Sequence, residues 1–179
     1  MQNLSKLSKT FLYLTVASFS IFIGSYIVKL AMMNQLFEPE NLLLKNKFSG
    51  TDLNVTFEIM IPVFSITIFS FLLLTISYII FLATSKTNLK KHGWLFIITI
   101  ILFITAVFEW ILIIKFDINI LAELMNNEIE QSTLVELFKK RVKHFGPFPL
   151  ILVFSYIVII YLSLFKPLKN KNEDQRERI

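Results

Sequence analysis

The sequence predicts an all-α integral membrane protein with four transmembrane helices, and three observations carry that prediction. Of 179 residues, 55% are apolar and 17% charged, whereas a water-soluble domain carries about 25% charge. The mean hydropathy is +0.65. The apolar residues gather into four long blocks, each near the ~20 residues that a helix needs to cross a hydrocarbon core. This balance excludes a disordered chain and leaves no room for a large soluble domain.

The first span is expected over 11–28, from Phe11 to Val28, with Lys29 ending it. Lys6 and Lys9 precede it as in a signal peptide, but the block exceeds the usual h-region of about 7–15 residues. No small-x-small cleavage pattern follows, so a retained signal anchor is expected. The second span, 59–84, opens after Glu58 and holds Pro62 in its first turns, where proline is tolerated. The third, 94–114, opens at Trp94 and closes at Lys115; the fourth, 149–165, closes at Lys166 and Pro167. Hydrocarbon offers the backbone no hydrogen-bond partner, so isolated apolar blocks fold as helices. The alternation a membrane barrel needs is absent from all four. Ser20 and Gly24 have the small-xxx-small spacing of closely packed helices, and Ser18, Ser25, Ser70 and Ser77 are read as packing residues too.

Four spans put both termini on one side. Their side carries ten basic residues: Lys6, Lys9, Lys86, Lys90, Lys91, Lys166, Lys169, Lys171, Arg176 and Arg178. The opposite side, loops 29–58 and 115–148, carries eight on about twice the length: Lys29, Lys45, Lys47, Lys115, Lys139, Lys140, Arg141 and Lys143. The positive-inside rule therefore predicts cytoplasmic termini and two outer loops. The net charge of +5 is thus read as orientation, and no nucleic-acid partner is expected. The layout resembles the general plan of claudin-like and tetraspanin proteins. Their cysteine signatures are missing from a chain with no cysteine, so the likeness implies topology alone.

In the first outer loop, Glu38-Pro39-Glu40 and Ser49-Gly50 are turn signals. Leu53, Val55 and Phe57 then alternate with Asp52, Asn54 and Thr56, which predicts a short strand. Asn54-Val55-Thr56 is also a glycosylation sequon, read as an unmodified loop. In the second loop, Ile118, Leu121, Met125 and Ile129 share one helical face, with Glu123, Asn126, Asn127 and Glu130 opposite. Thr133 and Glu136 form a capping box. From there Leu134, Val135, Phe138, Val142 and Phe145 make an apolar stripe flanked by Lys139, Lys140, Arg141 and Lys143, until Gly146-Pro147 stops the helix. This predicts an amphipathic helix in the bilayer interface, its basic residues toward headgroups, or else a helix packed on the protein's own outer loop. Either form is expected to offer a docking surface at Leu134, Phe138, Val142, Lys139, Lys140, Arg141 and Lys143.

Glu109 is the ionisable residue inside a span, about 7–8 Å from its midpoint toward the outer side. A carboxylate at that depth faces other helices or is protonated. It marks a candidate in-membrane polar site together with Glu58, with Lys29 or Lys115 as counter-ion. The two histidines, His92 and His144, fall on opposite sides and share no metal. No Walker, dinucleotide, metalloprotease or nucleophile-elbow motif occurs, and no cofactor, metal or catalytic residue is expected.

The leading expectation is a non-enzymatic membrane protein: a subunit, scaffold or assembly factor of a larger complex, docking lipid, a membrane-protein partner or a second copy through its outer loops. The alternative is a small oligomeric transporter or ion or proton conduit using Glu109 and Glu58. A lipid-acting enzyme using Glu109 or His144 ranks last.

Overall fold

The computed structural model describes residues 4–38, 44, 45, 48, 53–85, 89, 92–125, 131–145 and 148–167. Among them the secondary structure is helical: α1 (Lys6–Leu36), α2 (Asn54–Ser85), α3 (Gly93–Leu112), a π turn (Ile113–Asp117), α4 (Ile118–Leu124), α5 (Gln131–Phe145) and α6 (Phe148–Phe165). Four helical stretches are long and apolar enough to cross a membrane: Lys6–Leu36, Val55–Ser85, Gly93–Leu124 and Phe148–Phe165.

The helices assemble as four antiparallel columns. α1 and α2 run in opposite directions in one register throughout. The Thr15 hydroxyl donates to Ser77 at 3.2 Å, Phe22 meets Phe71 at 5.1 Å between ring centroids, and Lys29 lies over Phe64. α3, the π turn and α4 form one continuous third column. α5 and α6 together make the fourth, antiparallel to it. Lys166 sits over the Trp94 ring at 5.5 Å, Phe108 meets Phe148 at 4.8 Å, and Arg141 pairs with Asp117. Phe19 and Phe22 reach Tyr156 at 5.3 and 5.6 Å and close α1 onto α6. α6 ends on Lys166, whose left-handed φ of 45° breaks the helix before Pro167.

Two apolar cores are stacked along the columns. One gathers Phe22, Tyr26, Phe71, Leu74, Trp94, Ile98, Leu152 and Tyr156. The other gathers Met33, Leu36, Phe37, Leu53, Phe57, Met60, Phe64, Ile120, Leu124, Leu134 and Phe138. Deeply buried threonines between the helices donate to the carbonyl one turn back, as Thr67 does to Val63 and Thr105 to Ile101, at 2.7 and 2.8 Å. This satisfies the hydroxyl without a partner helix. The column surfaces are correspondingly apolar, with Phe69, Phe103, Phe154 and Leu164 each more than two-thirds exposed.

Several sequence expectations are corrected. The strand at 53–57 is instead the entry into α2. Leu53, Phe57, Met60 and Phe64 are buried at helical spacing while Val55 is 65% exposed, so three alternating residues were too short a run to separate period two from a helix's inner face. The extended pairing among the described residues is an isolated bridge between Phe37 and Leu44. Lys29 does not end the first helix, which continues to Leu36, and Lys115 does not end the third column. Because α2 begins at Asn54, Pro62 lies in its third turn and leaves the Glu58 carbonyl without its helical donor. Pro62 and Glu58 are both exposed, where that carbonyl can be solvated. Ser20 and Gly24 face outward, with nothing within 4 Å of a Cβ built on Gly24; Thr15 and Ser18 take the interior positions. In α4 the buried residues are Ile120 and Leu124, not Ile118 and Met125, which are 47% and 66% exposed. α5 opens at Gln131, two residues before the expected Thr133 cap. The turn signals at Pro39-Glu40, Ser49-Gly50 and Gly146-Pro147, and residues 126–130, lie outside the described residues.

Candidate functional site

Between the two cores lies a layer of four charged side chains. α1 buries Phe22, Tyr26, Met33 and Leu36 on one face, and Lys29 falls on that same face. Its ammonium is completely buried, 2.9 Å from Asp117 Oδ2 and 3.8 Å from Glu109 Oε1. The Tyr26 and Phe64 rings lie 4.9 and 5.4 Å from it, close enough for their faces to attract the cation. On α5, Leu134, Phe138 and Arg141 repeat at four and three residues, so Arg141 continues the apolar stripe inward. Its Nε donates to Asp117 Oδ1 and its Nη2 to Oδ2, the latter at 3.2 Å. Glu109 Oε1 is 4.0 Å from Arg141 Nη2. Burial works against the Arg141 charge, but the Asp117 carboxylate outweighs it and holds the guanidinium protonated above its ordinary range.

The π turn brings the two acids together. In an unbroken α-helix, positions eight apart are about 80° out of phase. The π turn absorbs one extra residue, which makes the rotation equivalent to seven α-helical steps and leaves an offset of about 20°. Glu109 and Asp117 thus share one face, and both are completely buried.

The layer carries two positive and two negative groups, yet its hydrogen bonds are distributed unevenly. Asp117 accepts from both cations. Neither carboxylate oxygen of Glu109 has a hydrogen-bond partner. The site therefore has one saturated acid and one acid with open acceptor positions.

The expected site residues separate. Glu109 is in the layer, with Lys29 as its counter-ion. Glu58 is exposed on α2 and is not brought to it, and Lys115 is exposed as well. Leu134 and Phe138 are completely buried against the protein's own helices; Phe138 meets the rings of Phe37, Phe57 and Phe64. Val142 is partly buried in the same core. These three are therefore not a free docking face, and Arg141, expected at lipid headgroups, points inward. Lys140 and Lys143 are exposed and Lys139 half-buried; Lys140 forms a surface pair with Glu136 at 3.0 Å. His144 lies beside Phe116, 5.1 Å between ring centroids, while His92 caps the far end of the third column. Asp117 is the member of this ionic layer that the sequence reading does not single out.

Two cavities flank Leu74, Tyr78 and Leu102. One, about 470 Å³, lies toward α1 and α6 and is bordered by Thr15, Phe19, Ser20 and Ser163. The other, about 130 Å³, is a slot between α2 and α3 that reaches Thr105 and Tyr156. No protein-family model matches the chain, and no curated protein or solved structure is significantly similar to it.

Proposed function

We propose that the chain is a non-enzymatic integral membrane protein, a subunit or assembly factor whose bundle holds a charged outer platform for a partner. The columns of 31 and 32 residues are about 46–48 Å long, against a hydrocarbon thickness of about 30 Å. In this reading the first core lies in the bilayer and the second rises beyond it on the extracytoplasmic side. The observation that carries the reading is the construction of α5. Its apolar residues and Arg141 are used inside the protein, which leaves Glu136, Lys140 and Lys143 as an outward face on a helix pinned through Asp117. Such a face suits an acidic segment of another membrane protein. Lys140→Glu combined with Lys143→Glu is expected to remove co-purifying proteins in mild detergent while leaving the thermal transition within a few degrees. Unchanged co-purification would remove the support for this docking face.

The conduit reading is favoured by one separate observation, the open acceptor positions of Glu109. A buried carboxylate without donors is a place where a proton or small cation can reside. In reconstituted vesicles, Glu109→Gln is then expected to abolish proton or cation flux. Flux at the level of the unmodified chain excludes this role.

A further inference from the structure

We infer that the open concavity formed by Phe116, Lys140, Lys143 and His144 seats the phosphate of an anionic phospholipid in the leaflet on the outer-loop side. The concavity holds about 440 Å³, and three of its four lining side chains carry nitrogen. Two ammonium groups and an imidazole offer a phosphate both N–H donors and positive charge. Lys140, Lys143 and His144 are spaced at three and four residues from the first, so they share one face of α5, and all three are exposed. Phe116 belongs to the π turn, and its ring meets His144 at 5.1 Å between centroids, closing one side of the site.

Depth selects a lipid as the occupant. At the inner end of the bundle Lys166 lies over the Trp94 ring at 5.5 Å, an aromatic and a basic residue of the kind that gather at a membrane–water boundary. Phe116 follows Trp94 by 22 residues, about 33 Å of helix, against a hydrocarbon thickness of about 30 Å. The concavity therefore opens at the opposite headgroup level, where a basic pocket meets lipid phosphates. Inward of it the fourth column is apolar, with Leu150, Ile151 and Phe154 each more than half exposed, a surface for acyl chains. Charge selects an anionic head. Glu136 shares the face and pairs with Lys140 at 3.0 Å, but both side chains are at least 60% exposed, and so solvated a pair is weak. Asp117 and Glu109 are completely buried and face Lys29 and Arg141. Among the described residues the site keeps a surplus of positive charge, which suits a head of net negative charge better than a zwitterion.

The inference rests on the columns crossing the bilayer. It shares Lys140 and Lys143 with the docking face proposed above, but the chain can hold the lipid with no protein partner, so either can fail alone. The test is native mass spectrometry of the purified full chain in detergent, titrated with phosphatidylglycerol or phosphatidylcholine. One phosphatidylglycerol per chain is expected to bind saturably and clearly more tightly than phosphatidylcholine. Lys140→Gln and Lys143→Gln should each weaken it about fivefold, the effect of one lysine beside an anionic lipid surface, with an unchanged thermal transition. Lys6→Gln combined with Lys9→Gln removes two exposed charges at the inner end of α1 and should leave the affinity unaltered. Glycerol phosphate, which has no acyl chains, should not displace the lipid. Equal retention of the two lipids, an equal loss in the Lys6–Lys9 double variant, full affinity in both single variants or displacement by glycerol phosphate would overturn the assignment. Loss of co-purifying proteins on charge reversal of Lys140 and Lys143, with no lipid selectivity in the purified chain, would sink the lipid site and leave the docking face standing.

Discussion

Asp117 accepts hydrogen bonds from Lys29 and from Arg141, whereas Glu109 accepts none. The two acids therefore differ in what they contribute. Asp117→Asn leaves two buried cations facing one loosely placed carboxylate, and breaking such a pair costs about 3–5 kcal/mol. Denaturant titration in detergent should show that loss, and a clearly smaller one for Glu109→Gln; equal losses would mean that the division of roles is wrong. Part of this layer was legible in the sequence. Lys29 follows Phe22 and Tyr26 at seven and three residues, and Arg141 follows Leu134 and Phe138 in the same way. Each continues an apolar face where a charge is unexpected. For Arg141 its basic neighbours masked the signal, since three of the four consecutive-region cations do stay near the surface.

At the level of single elements, the π turn explains why Asp117 could not be found by periodicity. A strict period of 3.6 places it off the Glu109 face, and nothing in Ile113–Asp117 announces the extra residue. The geometry makes a counterintuitive prediction. Deleting Ile114, itself 60% exposed, relaxes the π turn into a regular α-helix and keeps Glu109 and Asp117 aligned, so the bundle should retain a thermal transition within a few degrees of its original value. Deleting Val107 instead turns Glu109 out of the layer by about 100° and should lower the transition sharply. Similar transitions for the two deletions would contradict the phase argument. The start of α2 was missed for a related reason. Leu53 and Phe57 fit both a strand face and a helix face, and the tertiary contact with Phe138 decides between them.

On the scale of the whole molecule, the four apolar blocks were legible because hydrocarbon-crossing helices need length and low charge, both visible in composition. What was not legible was that α5 and α6 act as one column, because this depends on the register opposite Gly93–Leu124 rather than on local pattern. The absence of cysteine makes the topology directly testable. In sealed vesicles of known orientation, an impermeant maleimide should reach Lys140→Cys from the extracytoplasmic side. Lys9→Cys and Lys166→Cys should react together from the other side; reaction of those two from opposite sides would refute an even number of crossings. The ionic layer also has a consequence for biosynthesis. Lys29 precedes Asp117 by 88 residues, so at a ribosomal pace of about 5–20 residues per second the ammonium is made some 4–18 s ahead of its counter-charge. During that interval the nascent first hairpin must keep its cation hydrated, beside the insertion machinery or in a shallow pose. Final seating of the N-terminal helix therefore waits for the second half of the chain to be translated.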